Sequence, residues 1–110
     1  MPDATDPMRE RAAAYPEIAE GTACTQSSFK RGKTAFFFIG QQGGRHKAMF
    51  KLDASFDEAV QLAESQPDRY QAGKKPWVTA RFTDAEPMPE ELWTRWMDES
   101  WEISGPKKRR

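Results

Sequence analysis

The chain has 110 residues, of which 37% are hydrophobic and 31% are charged, and its 17 Lys and Arg balance 17 Asp and Glu. This length fits one domain with a modest core, and the low hydrophobic fraction requires large core side chains, which four Trp and seven Phe can supply. The absence of net charge argues against a strong nucleic-acid binder, and a single Cys excludes an internal disulfide.

The first predicted element is a short amphipathic helix near the N-terminus. Asp6 followed by Pro7 fits an N-cap and a proline at the first helical position. Pro16 disfavours helical geometry at Tyr15 and therefore ends the helix there. Residues 17–21 are interpreted as a connector.

A three-strand meander is predicted next. Residues 23–29 are rich in Thr and Ser, residues 34–39 are strongly apolar, and residues 45–52 alternate. The segments between them, 30–33 and 41–44, contain the glycines that tight turns require.

The third of these strands has the clearest pattern. Arg45, Lys47, Met49 and Lys51 point to one side, whereas the four residues between and after them point to the other. Such alternation is typical of an antiparallel strand with one buried face and one solvated, here basic, face.

The second half begins with a helix opened by a predicted capping box, Ser55 with Glu58. Residues 67–76 are expected to form a loop, and residues 77–83 a fourth strand. The last helix is predicted over 90–103, with one arc formed by Leu92, Trp93, Trp96, Met97, Ser100 and Ile103. These tryptophans favour a helix packed on the sheet.

The resulting order is α-β-β-β-α-β-α, with helices on one face of an antiparallel sheet, which is an α+β domain. We expect this domain over residues 9–104, preceded by a lead-in at 1–8 and followed by a basic tail at 105–110. No secretory signal is evident, and the longest apolar run, 35–39, is too short to cross a bilayer. We therefore expect a cytoplasmic, monomeric protein without membrane contact.

Several short motifs, in this order and spacing, resemble the MmcQ/YjbR family. They comprise Arg11 to Tyr15 with Pro16, Glu17 and Gly21; Ser28, Phe29, Lys30, Gly32, Lys33 and Phe36; Lys51 with Leu52; Trp77; and Glu90, Glu91, Leu92, Ser100, Trp101 and Ile103. The chain departs from the family pattern at Trp101, where Tyr is usual, and at Ala23 with Cys24, where Trp-Gly is frequent. The resemblance implies a fold like that of the bacterial frataxin homologue CyaY. It also implies a "double wing" arrangement, because of which members are commonly labelled DNA-binding.

Catalytic chemistry finds little support in the sequence. Cys24 and His46 lie in no recognisable nucleophile motif, and a small half-buried thiol is the simpler interpretation of Cys24. Gly43 and Gly44 form a turn rather than a phosphate-binding loop, since the spacing of such loops is absent. No His or Cys cluster could hold a transition metal. We therefore expect no catalytic residues, no metal and no cofactor.

Basic residues supply the main candidate site. Residues 28–52 contain six Lys or Arg and no Asp or Glu. The predicted nucleic-acid-binding set is Lys30, Arg31, Lys33, Arg45, Lys47, Lys51, Lys74, Lys75 and Arg81. Phe29 could stack on an unpaired base if it is exposed.

Three interpretations of this basic set remain open. The leading hypothesis is weak, sequence-independent DNA binding through a basic sheet face and its hairpin turns. The alternative is a protein-interaction module that docks an acidic partner on the same face. The simplest is an ordinary solvated sheet face, on which lysines are common.

Overall fold

The protein is described here from a computed structural model, which covers residues 5–16, 18–23, 26–32, 34–74 and 76–104. Within these residues there are three helices and one six-stranded sheet. In chain order they are α1 (Asp6–Ala14), β1 (Ile18–Ala23), β2 (Gln26–Arg31), β3 (Thr34–Gln42), β4 (Arg45–Lys51), α2 (Phe56–Ser65), β5 (Tyr70–Ala72), β6 (Trp77–Phe82) and α3 (Glu90–Ile103). The predicted α+β class is confirmed.

The sheet is antiparallel throughout, with the strand order β1-β2-β3-β4-β6-β5. Two strands were absent from the predicted order. Residues 18–21 of the expected connector belong to β1, and the expected loop at 67–76 contains β5. Both strands lie at the edges of the sheet, where a strand has only one neighbour.

Turn glycines join the central strands as predicted. Gly32, between β2 and β3, has φ 64°, and Gly43 and Gly44, between β3 and β4, have φ 61° and 80°. A side chain at these positions would be strained, because L-residues rarely adopt this region. The two turns place the basic residues of the hairpins at opposite ends of β3.

All three helices pack on one side of the sheet, which we call the covered face; the other side is the open face. The core residues of the central strands alternate with open-face residues, as in β4, where Ala48 and Phe50 are fully buried. In β6 the same pattern buries Val78, Ala80 and Phe82, so Trp77, Thr79 and Arg81 lie on the open face.

Helix α3 crosses the covered face, and its tryptophans fill the core. Trp96 is fully buried, with its ring 5.6 Å from that of Phe50 and 6.0 Å from that of Tyr70. Trp93 is also buried. The predicted apolar arc is correct except at Ile103, which is 39% exposed because the helix ends there.

The predicted helix starts need two corrections. Helix α1 includes Asp6, with Thr5 at its N-cap. The expected capping box at α2 is not formed, since Ser55 makes no side-chain cap hydrogen bond. Glu58 instead accepts hydrogen bonds from Arg95 and from the indole of Trp96, which ties α2 to α3.

Helix α1 is held to α3 by a polar and aromatic contact. Arg11 donates to both carboxylate oxygens of Asp98, and the Tyr15 hydroxyl donates to Asp98 as well. The Tyr15 ring stacks on that of Trp101 at 5.3 Å. Within the described residues no helix is long and apolar enough to cross a membrane.

Candidate nucleic-acid interface

The strand registers arrange the open-face side chains in rows that run across the strands. One row contains no charged residue, and we call it the uncharged row. It consists of Ser28, Phe38, Met49, Thr79 and Gln71, which are cross-strand partners from β2 to β5.

Basic residues flank the uncharged row on both sides. Toward one end of the strands lie Lys30, paired with Ala35, and Lys51, paired with Trp77. Toward the other end, Lys47 and Arg81 are direct cross-strand partners. Lys47 and Lys51 are four residues apart on β4, so their backbones are separated by roughly 13 Å.

Two further bases extend these flanks. Arg45 lies beyond Lys47 at the start of β4, and exposed Lys74 follows β5, where its carbonyl accepts a hydrogen bond from the Trp77 N–H. No Asp or Glu occupies an open-face position of the six strands. Six predicted bases therefore share one face: Lys30, Arg45, Lys47, Lys51, Lys74 and Arg81.

The six bases differ in how firmly they are held. The side chains of Lys30 and Lys47 make no hydrogen bond or ion pair within the described part of the chain. Arg45 donates to the carbonyl of Asp68 at 2.9 Å. Arg81 donates to the side-chain oxygen of Gln71 at 3.2 Å.

Lys51 is the most constrained base of the face. Its ammonium donates to the hydroxyl of Ser104 at 3.3 Å and to the Ala35 carbonyl at 3.4 Å, and it lies 5.9 Å from the Trp77 ring centroid. Burial lowers the pKa of this ammonium, because a low-dielectric environment disfavours the charged form. Lys51 thus joins the sheet to the end of α3 besides contributing charge.

Two half-buried aromatic side chains meet on the open face. The ring centroids of Phe38 and Trp77 are 5.3 Å apart and tilted by 58°. Beside them is a shallow depression of about 400 Å³. Its lining residues are Lys47, Met49, Gln71, Gly73, Lys74, Trp77, Thr79 and Arg81.

Three of the predicted bases are not placed on this face. Arg31 points to the covered side, with its guanidinium carbon 3.6 Å from the Trp101 ring centroid and one N–H donating to the Trp101 carbonyl. The prediction was wrong for Arg31 because β2 extends to this residue, so alternation carries its side chain across the sheet. Lys33 and Lys75 lie outside the described residues, as do Cys24 and the tail at 105–110.

The expected stacking residue is also corrected. Phe29 is fully buried and packs against Phe37 at 5.7 Å, so it cannot meet a ligand. The exposed aromatic edges belong to Phe38 and Trp77 instead. Phe38 is the cross-strand partner of Met49, which the sequence places on the basic face of β4. The register of β3 and β4 would therefore have been needed to identify Phe38 from the sequence.

The acidic residues of α3 lie on the covered side of the sheet, whereas Asp68 and Glu86 line a small cavity together with Arg45 and Arg81. A second depression, of about 380 Å³, lies along α3. Its lining residues are Asp53, Ala54, Arg95, Asp98, Glu99, Glu102 and Ile103. The Glu99 carboxylate accepts hydrogen bonds from the backbone N–H groups of Asp53 and Ser55, which fixes the loop before α2.

The sole histidine lies away from the open face. His46 is buried against Phe82, and its Nε2 is 2.8 Å from an Asp84 carboxylate oxygen. Among the described residues, no group of three or more His, Cys, Asp or Glu side chains is placed to hold a metal ion.

Comparison with known proteins gives a family and a fold. The YjbR family model matches residues 13–103. The structure is similar to the crystal structure of Deinococcus radiodurans protein DR2400, which carries the DUF419 domain, with a TM-score of 0.73 and 20% sequence identity over 92% of this chain and 78% of that one. At that identity the likeness shows the fold alone. No curated protein is significantly similar to the chain.

Proposed function

This chain belongs to the YjbR family, and we propose that it is a non-enzymatic module whose open face binds DNA weakly and without sequence preference. The observation that carries the proposal is that six bases share one side of a sheet whose strands have no acid at their open-face positions. Cations spread over such a surface neutralise backbone phosphates, which are the part of DNA common to all sequences.

The distribution of charge explains how a neutral chain could bind a polyanion. The acids of α3 lie on the covered side, so the sheet separates them from the basic flanks. In physiological salt, exposed charges interact strongly only within about 8 Å. The local surface rather than the net charge therefore determines the attraction.

The same arrangement argues for weak and unspecific binding. The basic side chains project mainly from strands, and among the residues that the structure describes no helix lies on the open face to enter a major groove. Phosphate contacts position a protein on DNA but carry no sequence information. Neutralising six phosphates would make affinity fall about a thousandfold between 50 and 200 mM salt.

The test is fluorescence anisotropy with a labelled DNA hairpin of arbitrary sequence that carries a single-stranded tail, titrated at several salt concentrations. Both paired and unpaired DNA are thereby offered. We expect binding that weakens steeply with salt and that is lost in the double variant Lys30→Gln with Lys47→Gln.

The matched control removes two positive charges from the covered side, Arg11→Gln with Arg95→Gln, and should bind like the unmodified protein. Both pairs of substitutions leave the core intact, and exposed ion pairs contribute little to stability. Absence of binding at low salt, or equal loss in the control, would overturn the proposal. Retention of a poly-glutamate peptide but not of DNA would favour the protein-interaction alternative.

A further inference from the structure

We infer that the open face selects single-stranded over duplex DNA, with unpaired bases packed along the uncharged row against Trp77 and Phe38. This inference rests on the proposed function and specifies the form of DNA that the face accepts. It is drawn from the position of the uncharged row between two basic flanks, an arrangement that duplex binding does not require.

The rows match the two chemistries of a single strand. A single strand has one backbone, so its phosphates would lie over one flank, at Lys47 and Lys74, which line the depression with Trp77. The bases would lie over the uncharged row, where Phe38 and Met49 are direct cross-strand partners. Cations beside a row that contains Phe38 and Met49 suit a ligand that exposes both its charged backbone and its apolar base faces.

The aromatic rings are positioned over the middle of the sheet. Phe38 is on β3 and Trp77 on β6, and β4 lies between them. Neighbouring strands are roughly 4.8 Å apart, so the two backbones are separated by roughly 10 Å. Because the ring centroids are only 5.3 Å apart, the rings must lean toward each other above β4.

This lean leaves apolar surface beside the depression. Trp77 and Met49 both line it, together with Lys47 and Lys74. At about 400 Å³ the depression is in the range of sites for small flat groups. Bases stack on aromatic rings irrespective of sequence, because every base has a π-face.

A duplex could use the flanks but not the row between them. Its bases are paired and stacked within the helix, so only phosphates and groove edges would reach the sheet. The phosphates laid over Phe38 and Met49 would then lose hydration without a compensating hydrogen bond. The uncharged row therefore favours the unpaired form.

The experiment compares a labelled oligo-dT with a duplex of the same length at one salt concentration, for four proteins: unmodified, Trp77→Leu, Trp77→Phe and Lys47→Gln. We expect the unmodified protein to bind oligo-dT at least about tenfold more tightly than the duplex. Trp77→Leu should weaken oligo-dT binding by about five- to a hundredfold, the range for loss of one stacked base, and leave duplex binding unchanged. Trp77→Phe keeps a ring and should retain most of the affinity.

Lys47→Gln is the charge comparison and should weaken both ligands to a similar degree. Circular dichroism and melting temperature establish that each variant is folded. Phe38→Leu, which removes the other ring of the pair, takes the place of Trp77→Leu if that variant does not fold. Equal affinity for both DNAs, or a loss on Trp77→Leu that is the same for both, would overturn this inference and leave the proposed function standing. Failure to bind either DNA would overturn both.

Discussion

Lys30 and Arg31 are adjacent in the chain but lie on opposite faces of the sheet. Lys30 is exposed on the open face, whereas the Arg31 guanidinium lies 3.6 Å from the centroid of the Trp101 ring, and it donates to the last turn of α3 at 3.0 Å. A cation at this end of a helix also interacts favourably with the helix dipole. Two neighbouring bases therefore have separable roles, one in stability and the other at the proposed interface.

Arg31→Ala should consequently destabilise the fold without affecting DNA binding. It removes a cation–π contact and a charged hydrogen bond, and we expect a loss of about 1–2 kcal/mol in the free energy of unfolding. Urea denaturation measures this. Lys30→Ala is the matched substitution and should change stability by less than about 0.5 kcal/mol, while it weakens DNA binding. The reverse pattern would show that the assignment of faces is wrong.

Ser100 links α3 to β4, and Ser100→Ala should weaken that link. The β3–β4 ladder ends at the Phe37–Phe50 pair, so the backbone of Lys51 lies beyond it. The fully buried Ser100 hydroxyl accepts a hydrogen bond from the Lys51 N–H at 2.8 Å and is 2.9 Å from the Lys51 carbonyl oxygen.

Removing this hydroxyl leaves buried backbone groups without partners, which costs about 1–3 kcal/mol. The measurement is again the free energy of unfolding in urea. Ser65→Ala, at an exposed serine that also bonds a helix carbonyl, should be nearly neutral. A neutral Ser100→Ala would mean that water replaces the hydroxyl or that the link is not formed.

Both tyrosines of the chain should ionise only above their ordinary range. Burial, followed by the hydrogen bond to Asp98, raises the pKa of Tyr15, and burial raises the pKa of Tyr70. Since the unfolded chain releases these protons near pH 10 while the folded chain retains them, stability should fall as the pH rises above 10.

The measurement is a titration of tyrosinate absorbance from neutral to alkaline pH, performed on native protein and on protein in denaturant. We expect the native curve to lie at higher pH. Coincident curves would indicate that the two phenols are solvated. Tyr15→Phe keeps the ring stacked on Trp101 and should remove one of the two shifted transitions.

The sequence predicts the central elements well because their patterns are set by burial. Helix α3 has the predicted bounds, Glu90–Ile103, and β4 alternates as expected. The missed strands, β1 and β5, are the two edge strands. β1 contains Gly21 and few β-branched residues, and β5 has three residues, too few for a period of two to be recognised.

The candidate site is only partly accessible from sequence. Alternation in β4 placed Lys47 and Lys51 on one face, as the structure does. The contact of Phe38 with Trp77 depends on the registers of three strands, which alternation alone does not fix. Arg31 was expected in the turn at 30–33, and a turn residue has no assigned face of the sheet. In the structure β2 includes Arg31, and its side chain lies on the covered side.

The width of the sheet limits the number of nucleotides that one protein molecule can cover. Six strands make five gaps, or roughly 24 Å across, and a strand at the stacked rise of 3.4 Å would span this with about seven nucleotides. A long strand lying along the uncharged row would thus be coated by many copies side by side, each with a small footprint, rather than wrapped by one.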